Sequence, residues 1–183
     1  SDPTGGQTIL ISDRATVADF HTPLLDHITI QDSAGHGIDV GADANSDLTP
    51  PLLTNITIKQ AALAPIIADP AAVTGLGAGL NITGNFTDRI LVRGGRIRFD
   101  HRWRDHGVPY EITDNIEVRS AYPNNDERPA IWTLDPGAAL LIHPNRNLTV
   151  GSLYGQGAIQ ALGTETNPIT LTRLSDTSAP WGS

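Results

Sequence analysis

Cysteine and methionine are both missing from the 183 residues. Without cysteine there is no disulfide, no thiolate metal ligand and no thiol nucleophile. Aromatic residues are scarce at 5%, so recognition by ring stacking would rest on very few positions. Basic residues are also short: 20 acids face 12 bases, and the only lysine is Lys59. The net charge of -8 argues against nucleic acid as a bulk partner, since neutralising phosphates needs Lys and Arg. It argues equally against anionic membrane surfaces. No stretch approaches the roughly 18 apolar residues that a membrane-spanning helix needs, so no membrane insertion is expected. With 39% hydrophobic and 17% charged residues, disorder through polarity is excluded. The chain opens at Ser1 with no charged-then-apolar leader, which fits a mature or excised piece of a larger protein. Residues 1–183 are read as one domain, long enough to bury a sizeable core.

What is present is repetition. The string Leu24-Leu25-Asp26-His27-Ile28-Thr29-Ile30 recurs 28 positions later as Leu52-Leu53-Thr54-Asn55-Ile56-Thr57-Ile58, and more weakly as Leu80-Asn81-Ile82-Thr83. A second short apolar segment follows each copy: Gly37-Ile38-Asp39-Val40, Pro65-Ile66-Ile67 and Arg89-Ile90-Leu91-Val92. Within them aliphatic residues alternate, as in Ile28 and Ile30, Ile116 and Val118, Leu140 and Ile142, or Ile169 and Leu171. Alternate residues of a strand take opposite faces, so each pair points one way. The only helical candidate, residues 61–73, is broken by Pro65 and Pro70 and reads as a loop.

An antiparallel sandwich also gives short alternating strands. It has no reason to place the same string one unit later. A coil stacked on its neighbour does, because the same side chain must fill the same layer. The expected fold is all-β, a right-handed parallel β-helix, with Ile28, Ile56 and Ile82 on adjacent rungs. Gly137 after Asp135-Pro136 suits a turn that needs positive φ, and turn asparagines are expected to ladder between coils.

From residue 90 onward the pattern sharpens. Gly95-Arg96-Ile97, Trp103, Gly107-Val108-Pro109-Tyr110, Ile131-Trp132-Thr133-Leu134-Asp135-Pro136-Gly137, Gly157-Ala158-Ile159 and Asn167-Pro168-Ile169-Thr170 occur in order. This order resembles bacterial exported right-handed β-helix repeat proteins of the pectate-lyase-like superfold. The resemblance covers 90–183 closely and 24–90 more loosely. It implies a fold and a secreted or cell-surface location, and no activity. Two departures stand out: bulky Trp132 where a smaller residue is usual, and a finish at Pro180-Trp181-Gly182-Ser183 where relatives run into another strand.

Six of the twelve cations, Arg89, Arg93, Arg96, Arg98, Arg102 and Arg104, fall within sixteen residues, interleaved with Asp88, Asp100 and Asp105. The densest stretch, Asp100 to His106, offers carboxylate, imidazole and guanidinium together. It reads as a connecting loop with a solvated ion-pair face. Arg96, Arg98, Arg102, Trp103, Arg104 and Tyr110, with Trp132 beside them, are the candidate ligand-binding residues for an acidic glycan. Asp39, Asp43, Asn45 and Asp47 crowd one segment with hard oxygen donors but lack a calcium-loop spacing. No HExxH, GxSxG or paired-carboxylate pattern occurs, and Gly75-Leu76-Gly77-Ala78-Gly79 lacks the βα units of a dinucleotide loop. No catalytic residue, metal or cofactor is therefore expected. Asn55, Asn81, Asn85 and Asn147 carry glycosylation acceptor patterns, which the Asn/Thr repeat itself accounts for.

Two functions compete. One is a non-catalytic structural or adhesive module of a surface protein or filament, self-associating through solenoid ends that no amphipathic helix caps. The other is a polysaccharide-binding or polysaccharide-processing β-helix centred on the arginine-rich region.

Overall fold

A computed structural model describes residues 8–11, 23–41, 52–120, 128–153 and 155–174. Its strands follow in chain order as β1 (Ile9–Ile11), β2 (Leu24–Asp26), β3 (Thr29–Gln31), β4 (Ile38–Val40), β5 (Leu52–Thr54) and β6 (Thr57–Lys59). Then come β7 (Ile66–Ala68), a 3-10 helix (Ala72–Gly75), β8 (Asn81–Ile82), β9 (Ile90–Val92), β10 (Gly95–Ile97), β11 (His101–Trp103) and β12 (Tyr110–Ile112). The last six are β13 (Ile116–Val118), β14 (Ala130–Leu134), β15 (Ala139–Ile142), β16 (Leu148–Val150), β17 (Gly157–Ala161) and β18 (Thr170–Arg173).

Every pairing between these strands is parallel and joins one coil to the next. The chain is a parallel β-solenoid. One seven-stranded sheet, β1-β4-β7-β9-β12-β15-β18, runs along the stack, flanked by β2-β5, β3-β6-β8, β10-β13-β16 and β11-β14-β17. Short strands suffice because each backbone group is bonded to the coil above and the coil below, and parallel strands need a crossover to return.

Inside the long sheet, Ile9, Ile38, Ile66, Ile90, Tyr110, Leu140 and Leu171 stand in one column. Its five central members are fully buried. The next inward column is Ile11, Val40, Ala68, Val92, Ile112 and Ile142. Successive coils advance by 28 residues (Ile38 to Ile66), 24 (Ile66 to Ile90), 20 (Ile90 to Tyr110) and 30 (Tyr110 to Leu140). Only the connections change length; the inward positions stay in register.

The third copy of the repeat sits differently from its sequence alignment. Ile82 stands beside Ile58, which stands beside Ile30, while Ile28 and Ile56 lie two positions earlier. A two-residue shift preserves which face a side chain takes, so the column is kept. Leu76, not Leu80, bridges to Leu53. In residues 61–73 the prolines do prevent an α-helix, yet the segment is no simple loop: it holds β7 and enters the 3-10 helix at Ala72.

One corner of the tube is turned by residues in the left-handed region: His27 (φ 56), Asn55 (φ 52), Gly79 (φ 77) and Gly137 (φ 89). Asparagine tolerates this conformation and glycine takes it freely. At Gly137 an added Cβ would also press against Asp105 Oδ2. Gly137→Ala is therefore expected to lower stability by about 1–2 kcal/mol, read as a shifted urea midpoint. An unchanged midpoint would mean the corner can relax.

Polar side chains tie the coils together at their edges. Asp26 accepts hydrogen bonds from Thr54 Oγ1 (2.7 Å) and Asn55 Nδ2 (2.9 Å) one coil away. These bonds, with that from His27, hold its carboxyl down at about 2. Asn115 Oδ1 accepts from the Asn147 backbone N–H on the next coil at 2.8 Å, a side-chain-to-backbone bond and not the side-chain amide ladder expected from the sequence.

Candidate functional site

The arginine-rich stretch is mostly neutralised on the surface of the tube. Arg89 meets Glu111 at 3.0 Å, and Glu111 also takes His143 Nε2 at 2.8 Å. Arg93 lies between Asp39 and Asp69, Arg96 meets Glu117 at 2.7 Å, and Arg102 meets Asp135 at 2.7 Å. Asp100 is paired with Arg128. The partners come from other coils, mostly the next one, because outward positions of one strand sit beside those of its neighbour. Arg102 and Thr133, for example, are adjacent on β11 and β14. Asp39 is spent on Arg93, while Asp43, Asn45 and Asp47 lie outside the described residues, as do Pro180 to Ser183.

The aromatic candidates take the other face. His101 and Trp103 point inward from β11, a strand where the sequence reading placed a connecting loop. Trp103, Tyr110 and Trp132 are all fully buried. Trp103 packs on Trp132 with ring centroids 4.8 Å apart at 70°, and on Tyr110 at 5.0 Å and 41°. Edge-to-face contacts of this kind suit ring quadrupoles. Trp103 and Tyr110 therefore offer no face to a sugar. They fill the interior of the tube, and Trp132 on the next coil packs against Trp103 there, a buried position that takes its bulk.

Two imidazoles share this region. His101 is 8% exposed, and burial drives its pKa down to about 4. His106 also falls to about 4, chiefly through burial and then through the Arg104 charge, against opposing pulls from Asp105 and Asp135. Its ring stands edge-on to Tyr110 at 6.1 Å. The Tyr110 hydroxyl donates to the Arg104 carbonyl at 2.6 Å, and burial pushes its own pKa up.

Beside them, three successive coils enclose an open cleft of about 530 Å³ at the corner of the tube. Ala78, Gly79 and Leu80 form one wall, Arg104, Asp105 and His106 the middle, and Asp135 and Pro136 the other wall. Of the six candidates only Arg104 lines it. Arg96 is paired away from it with Glu117, Arg102 lies outside the lining but is bonded to Asp135 of its wall, and Arg98 lies half-buried after β10 without forming an ion pair among the described residues. Sequence reasoning missed Leu80, Asp135 and Pro136 as neighbours of Arg104, since nothing local joins positions so far apart.

The acceptor asparagines divide. Asn85 Nδ2 donates to the Ile58 carbonyl and to Asp88 Oδ1, and Asn55 Nδ2 donates to Asp26. Both amides are spent on holding coils together. Asn81 and Asn147 are exposed.

No family model, curated protein or solved structure matches the chain. Among the described residues no helix is long and apolar enough to cross a membrane.

Proposed function

We propose that this protein is a non-catalytic structural or adhesive β-solenoid module of the cell exterior that associates with further copies through its coil ends. One observation carries the reading. Val150, Ile159 and Leu171 continue the columns of Val118, Trp132 and Leu140, which are fully buried, yet they are 40%, 41% and 41% exposed. Among the described residues nothing pairs with the free edges of β16, β17 and β18. Leu153 and Leu162 add apolar surface at the same end. Unpaired edges beside exposed aliphatic side chains favour strand addition and burial of apolar area. The resemblance of residues 90–183 to bacterial exported β-helix repeat proteins supports the extracellular placing.

The chemistry of the surface agrees with this reading. Most arginines between Arg89 and Arg102 are paired with carboxylates, which leaves that stretch little free positive charge for an acidic polymer. Acidic-glycan binding loses its stacking rings to the core.

The test is association at rising concentration, followed by light scattering and negative-stain microscopy. Oligomers or filaments are expected. Lysine at Val150, Ile159 and Leu171 together should abolish them while leaving the far-ultraviolet circular dichroism unchanged. A wild-type chain that stays monomeric at high concentration would overturn the reading.

A further inference from the structure

The corner cleft is separate from the coil end, and its chemistry is of a different kind. Most arginines of the cluster are tied to carboxylates, but Arg104 forms no ion pair among the described residues. Its backbone is fixed by the Tyr110 hydroxyl on its carbonyl, so the guanidinium projects from an anchored point. Next to it His106 Nε2 is buried without a hydrogen-bond partner. At neutral pH that ring is uncharged and can either donate or accept. Asp105 and Asp135 line the cleft together with Arg104 and His106, so the four groups converge.

The charges sum to zero once Arg102, bonded to Asp135, is counted. A cleft with no net charge gives little attraction to an acidic ligand. It does present guanidinium donors, carboxylate acceptors and an imidazole that can do either. A hydroxyl group is at once donor and acceptor, so adjacent hydroxyls on one ring can satisfy both kinds. Leu80, Pro136 and Ala78 supply apolar wall for the C–H face of such a ring. The volume falls within the range of about 300–1,000 Å³ usual for small-ligand sites. Desolvated polar groups of this type are costly unless a ligand or water completes them.

We propose that this cleft binds a neutral, polyhydroxylated ring of hexose size, with Arg104 and Asp105 bonding its hydroxyls and His106 completing the set. The site stands independently of end-on association, although it gives an adhesive module a ligand.

The probes are D-glucose, D-galactose, myo-inositol and D-glucuronate, each titrated against the full chain while the His106 ring protons are followed by NMR. A saturable shift with a neutral ring, absent for glucuronate, is expected. Arg104→Ala should weaken it about tenfold or more, and Asp105→Asn should weaken it while keeping a side-chain oxygen to accept the turn bond that the Gly107 N–H donates. Saturation by glucuronate alone would overturn the neutral-ring assignment. No saturation by any probe through the millimolar range, with wild-type chemical shifts showing a folded chain, would overturn the site. The titration is run below the concentration at which the chain associates, so that failure of the site is read separately from failure of end-on association.

Discussion

Replacing Trp103 by alanine is expected to cost about 3–5 kcal/mol of folding stability, measured as the urea unfolding free energy at neutral pH. The ring is fully buried and contacts both Trp132 and Tyr110. Removing it takes away its transfer energy and leaves a void that two coils must collapse around. The strand pairing limits that collapse. His101 and Trp103 are held to Trp132 and Leu134 by the β11–β14 register, so the backbone cannot close the gap freely. Against a usual total of about 5–15 kcal/mol, such a loss is a large fraction. A cost below about 1 kcal/mol would show that the aromatic cluster is loosely packed.

Acid should destabilise the fold in a defined window. His101 has a folded pKa of about 4 against an ordinary value of 6.5. A neutral buried imidazole favours the folded state at high pH, because the unfolded chain gains nothing from its ring there. As pH falls below about 6.5 the unfolded form takes up a proton that the folded form refuses. Stability is therefore complete above about 6.5 and drains as pH falls toward 4. For His101 the loss by pH 4 is about 3 kcal/mol. His106 acts in the same direction with a smaller contribution, because it lies nearer the surface. Carboxylates held below their ordinary values, such as Asp88 and Glu117, act only at lower pH, where protonating them removes their bonds. The two windows are thus separable. His101→Phe, which fills a similar volume, should flatten the decline between pH 6.5 and 4 by about 3 kcal/mol. An unchanged decline in that variant would mean that His101 does not control it.

The repeat made the architecture legible. Identical inward aliphatics at Leu24 to Ile30 and Leu52 to Ile58 recur because a parallel coil places like on like. The third copy was harder, since a coil of 24 residues moves Ile82 into register with Ile58 while the sequence match favours Asn55-Ile56-Thr57. Trp103 and Tyr110 were misassigned for a physical reason. An aromatic beside arginines looks like a binding platform until alternation along β11 and β12 puts Trp103 and Tyr110 inside and Arg102 outside. The cleft around Arg104 was half visible. Arg104, Asp105 and His106 are contiguous, but their companions Leu80 and Pro136 reach them only through stacking.

The advance from coil to coil varies between 20 residues (Ile90 to Tyr110) and 31 (Leu140 to Leu171) while the inward columns stay aligned. Chain length is thus absorbed in the corners, where closing a somewhat longer loop adds only a few tenths of a kcal/mol. Foreign peptides spliced between Leu162 and Ile169, in the connection from β17 to β18, would be carried on the outside of the tube like pennants on a mast, with the mast itself left standing.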